Sequence, residues 1–136
     1  MGVHRSSVSR IVRRVTAKIC NLRHRYIQFP RTRENISAVK QDFYHISQFP
    51  NVIHVGSVDG TLIPIKIPVT NEHLYVSRTG GHNINMLAVC DALLQFMYVV
   101  SKYPGSANDS FIWMNCYLRQ QFERKEIQVW LLGDSG

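Results

Sequence analysis

The run from Val52 to Pro68 constrains the fold of this chain more than any other stretch. Val, Ile and Thr dominate it and charge is almost absent, which predicts a strand at the centre of a sheet, buried on both faces. One carboxylate, Asp59, interrupts the run and is followed by Gly60. A buried ionised carboxylate is costly unless cations or hydrogen-bond donors compensate it. The pattern therefore favours a carboxylate presented at a site, with an Asp-Gly turn between two strands as the alternative.

Basic residues are concentrated in the N-terminal part of the chain, whose net charge over all 136 residues is +7. Residues 1–40 contain ten Lys or Arg and one Glu, and so carry +9. Residues 41–136 contain six Lys or Arg and eight acidic residues, and so carry −2. This asymmetry predicts a polyanionic partner, DNA or RNA, for the N-terminal part. An amphipathic helix on an anionic membrane is the alternative.

Cysteine usage and hydropathy predict a protein of a reducing compartment that does not cross a membrane. The three cysteines are far apart and form no C-x-x-C pair, so neither a disulfide framework nor a zinc finger is expected. Arginines near the start leave no room for the apolar part of a secretory signal. The longest apolar stretch, residues 87–100, is interrupted by Asp91 and Gln95. We expect the nucleus or the cytoplasm.

Residues 6–27 repeat apolar side chains at the spacing of an amphipathic helix, which Ser6 or Ser7 is expected to cap. The start of this segment is similar to the second half of a helix-turn-helix, whose recognition helix meets base edges. The side chains expected to contact DNA are Ser6, Ser7, Ser9, Arg10, Arg13 and Arg14. Because no first helix precedes it, either Met1 is not the natural start or this helix packs on the rest of the chain. A solvated basic helix is the alternative.

The remaining patterns predict a second helix, three strands, a crossover helix and a fourth strand. The expected bounds are 34–48 for the second helix, 52–68, 84–90 and 95–103 for the first three strands, and 129–132 for the fourth. A polar loop is expected at 70–82. Asn108 or Asp109 is expected to cap the crossover helix. Its expected apolar face is Ile112, Trp113, Cys116, Tyr117 and Phe122.

The crossover has a chemical consequence for two distant carboxylates. A helix between the third and fourth strands lets the fourth lie parallel to the first. Asp59 and Asp134 would then become neighbours. Two carboxylates without a basic residue between them are best held by divalent cations such as Mg²⁺. A pair of such ions can activate water and stabilise the leaving oxygen of a phosphodiester.

Three segments resemble the DDE domain of the PIF/Harbinger transposases and of the nucleases derived from them. They are FPNVIHVGSVDGTLIPIKIP (49–68), LYVSRTGGHNINMLAVCDALLQFMYVVSKYPGSANDS (74–110) and VWLLGDSG (129–136). With the N-terminal helix region, the resemblance covers residues 3–136. It implies an α/β fold with an RNase H-like mixed sheet, and cleavage of DNA with Mg²⁺ or Mn²⁺ held by two Asp and one Glu. It also implies action in the nucleus and a Myb-like DNA-binding partner protein.

The resemblance assigns roles residue by residue. Asp59 of VDGT corresponds to the first catalytic Asp, and Asp134 of LLGDSG is assigned the second catalytic role; both would be metal ligands. Asp109 of PGSANDS corresponds to another family carboxylate, expected to line the metal site or to cap the crossover helix. Arg78 is expected to contact phosphate or to balance the carboxylates. Asp91 of VCD falls in a hairpin turn, so a structural role is expected.

Two departures from the family pattern affect the expected activity. The tripeptides at 78–80 and 83–85 read Arg-Thr-Gly and Asn-Ile-Asn where members tend to have Arg-Lys-Gly and Ser-Ile-Asn. The family's catalytic Glu lies on a helix beyond the fourth strand, and the chain ends before it. Glu123 and Glu126 precede that strand and are not convincing substitutes.

These features predict a two-part chain. Residues 1–48 are expected to form a basic helical region with a partial helix-turn-helix. Residues 49–136 are expected to form the N-terminal part of a DDE domain, truncated after the fourth strand. We expect the chain alone to bind metal weakly and to cleave DNA poorly or not at all. An inactive remnant that binds DNA or a protein is the alternative function.

Overall fold

Helices precede the strands of a single mixed sheet and connect some of them. The computed structural model describes residues 4–47 and 54–134. The N-terminal helices are α1 (Arg5–Asn21), α2 (Arg23–Tyr26) and α3 (Arg33–Ser47). The strands are β1 (His54–Pro64), β2 (Asn83–Cys90), β3 (Phe96–Pro104) and β4 (Trp130–Gly133). The short helices α4 (Glu72–Tyr75), α5 (Asp109–Met114) and α6 (Tyr117–Glu123) lie between strands.

The sheet has the order β3-β2-β1-β4, with β2 antiparallel to both of its neighbours. The fourth strand runs parallel to β1, and their paired positions include Val58 with Gly133. A parallel neighbour requires a crossover connection, which α5 and α6 supply between β3 and β4. The predicted mixed sheet with a parallel fourth strand is therefore confirmed.

The first strand differs from the prediction in its burial. Ser57, Asp59 and Thr61 are exposed, and they alternate with half-buried positions such as Val58. A β-branched run indicates a strand, but it does not say how many faces are covered, and here one face of β1 is open. The prediction of a strand buried on both faces is wrong. Residues 52 and 53 lie outside the described residues.

The Asp-Gly pair of β1 does not form a turn. The antiparallel ladder with β2 runs through Asp59 and Gly60, which pair with Ala88 and Leu87 without a register shift. The alternative of a turn at this point is therefore wrong. Because Asp59 is exposed, its charge remains in contact with water and carries no large burial cost.

The hydrophobic core lies between the sheet and the crossover helices. Its buried members are Phe29, Val55, Val89, Met97, Cys116, Leu118, Ile127 and Val129. Half-buried Ile36 and Val39 of α3 pack against this cluster. The Tyr98 hydroxyl accepts a hydrogen bond from the Leu118 N–H at 3.4 Å, and burial raises the pKa of Tyr98. The crossover is thus held to β3 as well as to β1.

The first predicted helix is divided and its cap differs. The α-helix α1 ends at Asn21, and α2 follows after Leu22, so a single helix over 6–27 is not observed. The cap is His4, whose side chain accepts a hydrogen bond from the Ser6 N–H at 3.3 Å. The prediction of a Ser6 or Ser7 cap is wrong because α1 already begins at Arg5, so both serines lie inside its first turn.

Helix α1 is not packed on the rest of the described chain. None of its residues is buried, and its apolar side chains, such as Ile11 and Ile19, are 57% and 62% exposed. The expectation that this helix packs on the remaining domain is therefore not met. Within residues 4–47 and 54–134, no helix is both long and apolar enough to cross a membrane.

Two other predicted segments, the second helix and the loop after the first strand, differ in detail from the structure. The second helix was expected at 34–48 and is observed as Arg33–Ser47, while residue 48 lies outside the described part. The loop expected at 70–82 contains α4, which begins after Asn71 in the left-handed conformation at φ 54°. The predicted boundary between residues 48 and 49 stays a prediction.

The predicted β2–β3 hairpin is confirmed. Its turn is closed by Asp91, whose Oδ1 accepts hydrogen bonds from the Leu93 and Gln95 N–H groups at 2.9 and 2.8 Å. Leu94 takes the left-handed conformation at φ 61°. Asp91 therefore has the structural role that its place in a turn predicts.

The crossover consists of two helices where the sequence predicts one. Asn108 caps α5 by accepting a hydrogen bond from the Phe111 N–H at 2.7 Å. The chain then breaks at Asn115, and the Cys116 thiol caps α6. This break shifts the helical phase, so Leu118 is buried while Tyr117 is 57% exposed. The prediction that Tyr117 belongs to the apolar face is wrong.

The phase of α6 can be tested with two neighbouring substitutions. Leu118→Ala should lower the free energy of unfolding by about 2–5 kcal/mol because it empties a buried site. Tyr117→Ala should cost less than about 1 kcal/mol because its ring is largely exposed. Urea denaturation followed by circular dichroism measures both. A larger cost for Tyr117→Ala than for Leu118→Ala would instead support the helical phase expected from the sequence.

Candidate active site

The register of the parallel strands brings Asp59 and Asp134 together. Each follows one residue after the paired positions Val58 and Gly133. Adjacent strands lie about 4.8 Å apart, so these two residues are neighbours across the strand pair. A Cβ on Gly133 would lie 3.2 Å from Cγ1 of Val58, so those two positions face the same side. By alternation, Asp59 and Asp134 share the opposite side of the sheet.

Asp59 is oriented by its own backbone. Its Oδ1 accepts a hydrogen bond from the Gly60 N–H at 2.8 Å. The side chain is exposed, as is that of Asp134. The pair therefore offers carboxylate oxygens to solvent, where a cation can reach them.

A third carboxylate lies on the other side of Gly60. A Cβ on Gly60 would overlap the carboxyl group of Asp109, so that carboxylate occupies the space left by the missing side chain. Asn85 of β2 donates a hydrogen bond from Nδ2 to the same oxygen at 2.8 Å. Because Asn108 provides the helix cap, the expectation that Asp109 caps α5 is not met. Asp59 and Asp109 thus flank one glycine.

The three carboxylates do not converge on one point. By alternation, Asp59 and Asp109 approach β1 from opposite sides. In the described ranges, no group of three or more His, Cys, Asp or Glu side chains is placed to hold a metal ion. The structure therefore brings Asp59 beside Asp134 on one face of β1, and it places Asp109 against Gly60 on the other face.

A cleft of about 1060 Å³ runs past all three carboxylates. It lies between the crossover helices and the β1–β4 edge of the sheet. Its acidic and basic lining residues are Asp59, Asp109, Asp134, Arg78, Arg119 and Lys125. Apolar side chains, including Trp113 and Phe122, complete the wall. A cleft with both signs of charge can receive a phosphate group and a cation together.

Arg78 stands on a tight turn that β2 supports. The Ser77 N–H donates to the Gly81 carbonyl at 2.9 Å, and Gly80 adopts φ 80°. Asn83 donates to the Ser77 hydroxyl at 2.8 Å, which ties the turn to the sheet. Arg78 is exposed and forms no ion pair with a carboxylate in the described part of the chain. Its guanidinium is free to meet an anion from solution.

The residues expected to bind DNA on α1 lie outside this cleft. Ser7 is half-buried, and the other five, Ser6, Ser9, Arg10, Arg13 and Arg14, are exposed. None of them lines the cleft. The basic surface of α1 and the cleft are therefore separate features of the molecule.

Several residues around the cleft were not found from the sequence. Asn85 and the cations Arg119 and Lys125 carry no local motif. The sequence did offer one indication for Asn85. Buried amide side chains nearly always have a hydrogen-bond partner, so an asparagine within a buried strand indicates a specific contact. Lys125 has φ 58°, which its sequence neighbours do not reveal.

A family model described as DDE superfamily endonuclease matches residues 58–136. The chain belongs to the DDE superfamily endonucleases. The match includes Asp59, Asp109 and Asp134, and together with the nuclease relatives described next it confirms the resemblance to the Harbinger-derived nucleases.

Curated relatives of this DDE chain extend well beyond it. Proteins named "Putative nuclease HARBI1" from Bos taurus and Homo sapiens are each 36% identical over 137 residues, covering 100% of this chain and 39% of the relative. "Protein ALP1-like" of Arabidopsis thaliana is 26% identical over 151 residues, covering 99% of this chain and 36% of that protein. No solved structure matches the chain.

The DDE family implies a divalent metal, and the donor chemistry fits one. Carboxylate oxygens are the ligands that Mg²⁺ prefers, and this ion binds through one or two carboxylates while keeping several waters. Asp59 and Asp134, exposed and adjacent across two strands, match that requirement. A closed cage of three protein ligands is not formed by the described residues.

The capping assignment separates the roles of two neighbouring side chains. Asn108→Ala should lower the free energy of unfolding by about 0.5–2 kcal/mol because the first turn of α5 loses its acceptor. Asp109→Asn keeps the Asn108 cap and an oxygen for Asn85, so it should lose only the favourable interaction of its charge with the start of α5, about 0.3–1 kcal/mol. Thermal unfolding compares the two variants, and a larger loss for Asp109→Asn than for Asn108→Ala would contradict the cap assignment.

Proposed function

We propose that this chain is the part of a DDE endonuclease that binds DNA and supplies two of its catalytic carboxylates. The observation that carries the proposal is the parallel β1–β4 register, which sets Asp59 beside Asp134. An antiparallel meander followed by a crossover to a parallel strand supports an RNase H-like fold, as the family resemblance implies. The substrate class is the phosphodiester bond of DNA.

Asp59 and Asp134 are the proposed catalytic residues and metal ligands, with Asp109 as a third carboxylate of the same cleft. A bound Mg²⁺ or Mn²⁺ would supply an activated water and stabilise the leaving oxygen. The Gly60 N–H holds one oxygen of Asp59 in place, which leaves the other free for the cation. Arg78, free of ion pairs, would bind a phosphate of the strand that enters the cleft.

The N-terminal region is the proposed DNA-binding surface. Residues 1–40 carry +9, and neutralising phosphates releases counterions from DNA. On α1, Arg10, Arg13 and Arg14 project away from the apolar stripe that contains Val8 and Val15. This arrangement lets the basic face meet the phosphates.

A second candidate function is binding without cleavage, by DNA or protein contact alone. It is favoured by one observation, since the described carboxylates do not form a three-ligand group. Under either function we propose action in the nucleus beside a Myb-like DNA-binding partner protein, as the resemblance implies. The chain spans 39% of its nuclease-named relatives, so weak metal binding and little cleavage are expected of it alone.

Metal binding by the carboxylate pair can be measured directly. Titration of the 136-residue chain with Mn²⁺, followed by water-proton relaxation, should show a weak site. Asp59→Asn or Asp134→Asn should weaken that site at least about tenfold because each removes a charged ligand. Asp91→Asn, the same change in the hairpin turn, is the control and should leave it unchanged. Equal affinities for all four proteins would contradict the proposed metal site.

The DNA-binding surface predicts a change in salt dependence. Replacing Arg10, Arg13 and Arg14 by Ala should weaken DNA binding and reduce the slope of log K against log salt by about 2–3, since each phosphate contact contributes about 0.9. The control replaces Lys66, Lys102 and Arg124, three cations outside α1. Fluorescence anisotropy at several salt concentrations measures DNA binding by both variants. Identical slopes for the two would contradict the assignment of the DNA-binding surface to α1.

A further inference from the structure

A groove of about 520 Å³ lies between α3 and the connection from α6 to β4. The residues of α3 that line it are Arg33, Ile36, Ser37 and Lys40, and those of the connection are Lys125, Glu126 and Gln128. The four residues of α3 recur at the spacing of neighbours on one helical face. We call this cavity the basic groove.

The charge of the basic groove is mostly positive and is not balanced by the chain. Its cations are Arg33, Lys40 and Lys125. None of the three forms an ion pair with a carboxylate in the described ranges, although Lys40 is half-buried. The one acidic lining residue, Glu126, accepts a hydrogen bond from Gln121 at 3.3 Å and faces Arg124 at 3.9 Å. An anion from solution would therefore balance the free cations.

A buried amide holds the two walls of the basic groove together. Gln121 of α6 is 2% exposed, and its Oε1 accepts a hydrogen bond from Arg31 at 3.2 Å. The same side chain donates to Glu126. The segment before α3 is thus tied to the connection that follows α6. Because the walls are fixed before any ligand arrives, binding between them requires little ordering of the protein.

The basic groove adjoins the cleft that contains Asp59 and Asp134. Lys125 and Gln128 line both cavities, so the two meet along these side chains. A single phosphate ion can occupy only one of the cavities, whereas an elongated polyanion can lie in both. A nucleic-acid strand has this shape, with phosphates repeated along its length.

The backbone at Lys125 would suit a glycine better than a lysine. The Lys125 and Glu126 N–H groups donate to the carbonyls of Phe122 and Gln121, both at 3.0 Å. These two bonds form a Schellman motif, whose left-handed position is usually glycine. Lys125 occupies that position at φ 58°, which costs free energy for any residue with a Cβ. A favourable interaction with the end of the helix dipole offsets only part of that cost.

We propose that the basic groove binds phosphates of a DNA strand, and that Lys125 contacts the strand where it passes from this groove into the cleft. The inference rests on the proposed function, since it takes DNA as the substrate. It adds a contact surface that is separate from α1, on the side of the crossover that leads to the carboxylates. Ser37 adds a hydroxyl donor beside the cations of α3.

Lys125→Gly tests the junction with two readouts that should move in different directions. Binding of a fluorescein-labelled DNA duplex to the 136-residue chain is measured by anisotropy in EDTA. The affinity should fall by about fivefold or more at about 0.1 M salt, and the slope of log K against log salt should decrease by about 0.9. The thermal midpoint should stay equal or rise, because glycine accepts the left-handed backbone. Unchanged affinity and slope would overturn the proposal.

Two variants separate the charge of Lys125 from its backbone. Lys125→Arg keeps a cation that binds phosphate, so it should bind DNA within about twofold of the unmodified chain. A loss as large as that of Lys125→Gly would overturn the role of the charge. Leu94→Gly is the matched backbone control, since Leu94 has φ 61° and lines neither cavity. An equal loss of affinity in Leu94→Gly would overturn the proposal.

The wall formed by α3 has its own test. The double variant Arg33→Ala/Lys40→Ala should decrease the salt slope by about 1–2, because it removes two cations of the basic groove. The control is Lys66→Ala/Lys102→Ala, which removes two cations that line neither cavity. Equal slopes for the two double variants would show that only the total charge matters and would overturn the assignment.

The direction of the strand can be tested through the carboxylates without a metal ion. In EDTA, Asp59 and Asp134 repel a phosphate that comes near them. The double variant Asp59→Asn/Asp134→Asn should therefore bind the same duplex about threefold or more tightly. Unchanged affinity would overturn the passage of the strand into the cleft.

Failure of the basic groove can be told apart from failure of the proposed function. If replacing Arg10, Arg13 and Arg14 by Ala flattens the salt dependence but Lys125→Gly does not, the DNA-binding surface on α1 stands and the basic groove has no role. If the unmodified chain shows no salt-dependent DNA binding, the proposed function fails and the basic groove fails with it.

Discussion

The parallel pairing of β1 with β4 is the constraint on which the other features depend. It requires a crossover from β3, and the crossover in turn covers one face of the sheet with α5 and α6. The start of α5 then falls beside Gly60, which is how Asp109 comes to lie against β1. One strand register therefore places Asp134 on one side of Asp59 and Asp109 on the other. A shift of one residue in β4 would turn Asp134 to the opposite face.

Gly60 and Gly133 show how small residues make this arrangement possible. Each lacks a side chain where another group approaches closely, the Asp109 carboxylate at Gly60 and the Val58 side chain at Gly133. These two glycines therefore allow close packing around the site. The exposed carboxylates of Asp59 in β1 and of Asp134 just after β4 remain in water, while the third is anchored by an amide from β2.

The sequence predicted the order of the elements and the meeting of Asp59 with Asp134, because apolar runs and a crossover determine strand direction. It did not predict which face of β1 is open. A β-branched run indicates that the backbone forms a strand, but it does not show which face of that strand other elements cover. Tyr117 was misplaced because the break at Asn115 resets the helical phase. The role of Asn85 was not predicted because its hydrogen bond to Asp109 joins residues far apart in the chain, and local periodicity does not indicate such a contact.

The position of β4 in the sheet order has a consequence for access. With the order β3-β2-β1-β4, the outer edge of β4 faces no other strand of the described sheet. Unpaired backbone groups at such an edge readily accept an additional strand. That strand would run about 4.8 Å from β4, next to Asp134. A strand added there would therefore narrow the approach to Asp59 and Asp134 from that direction.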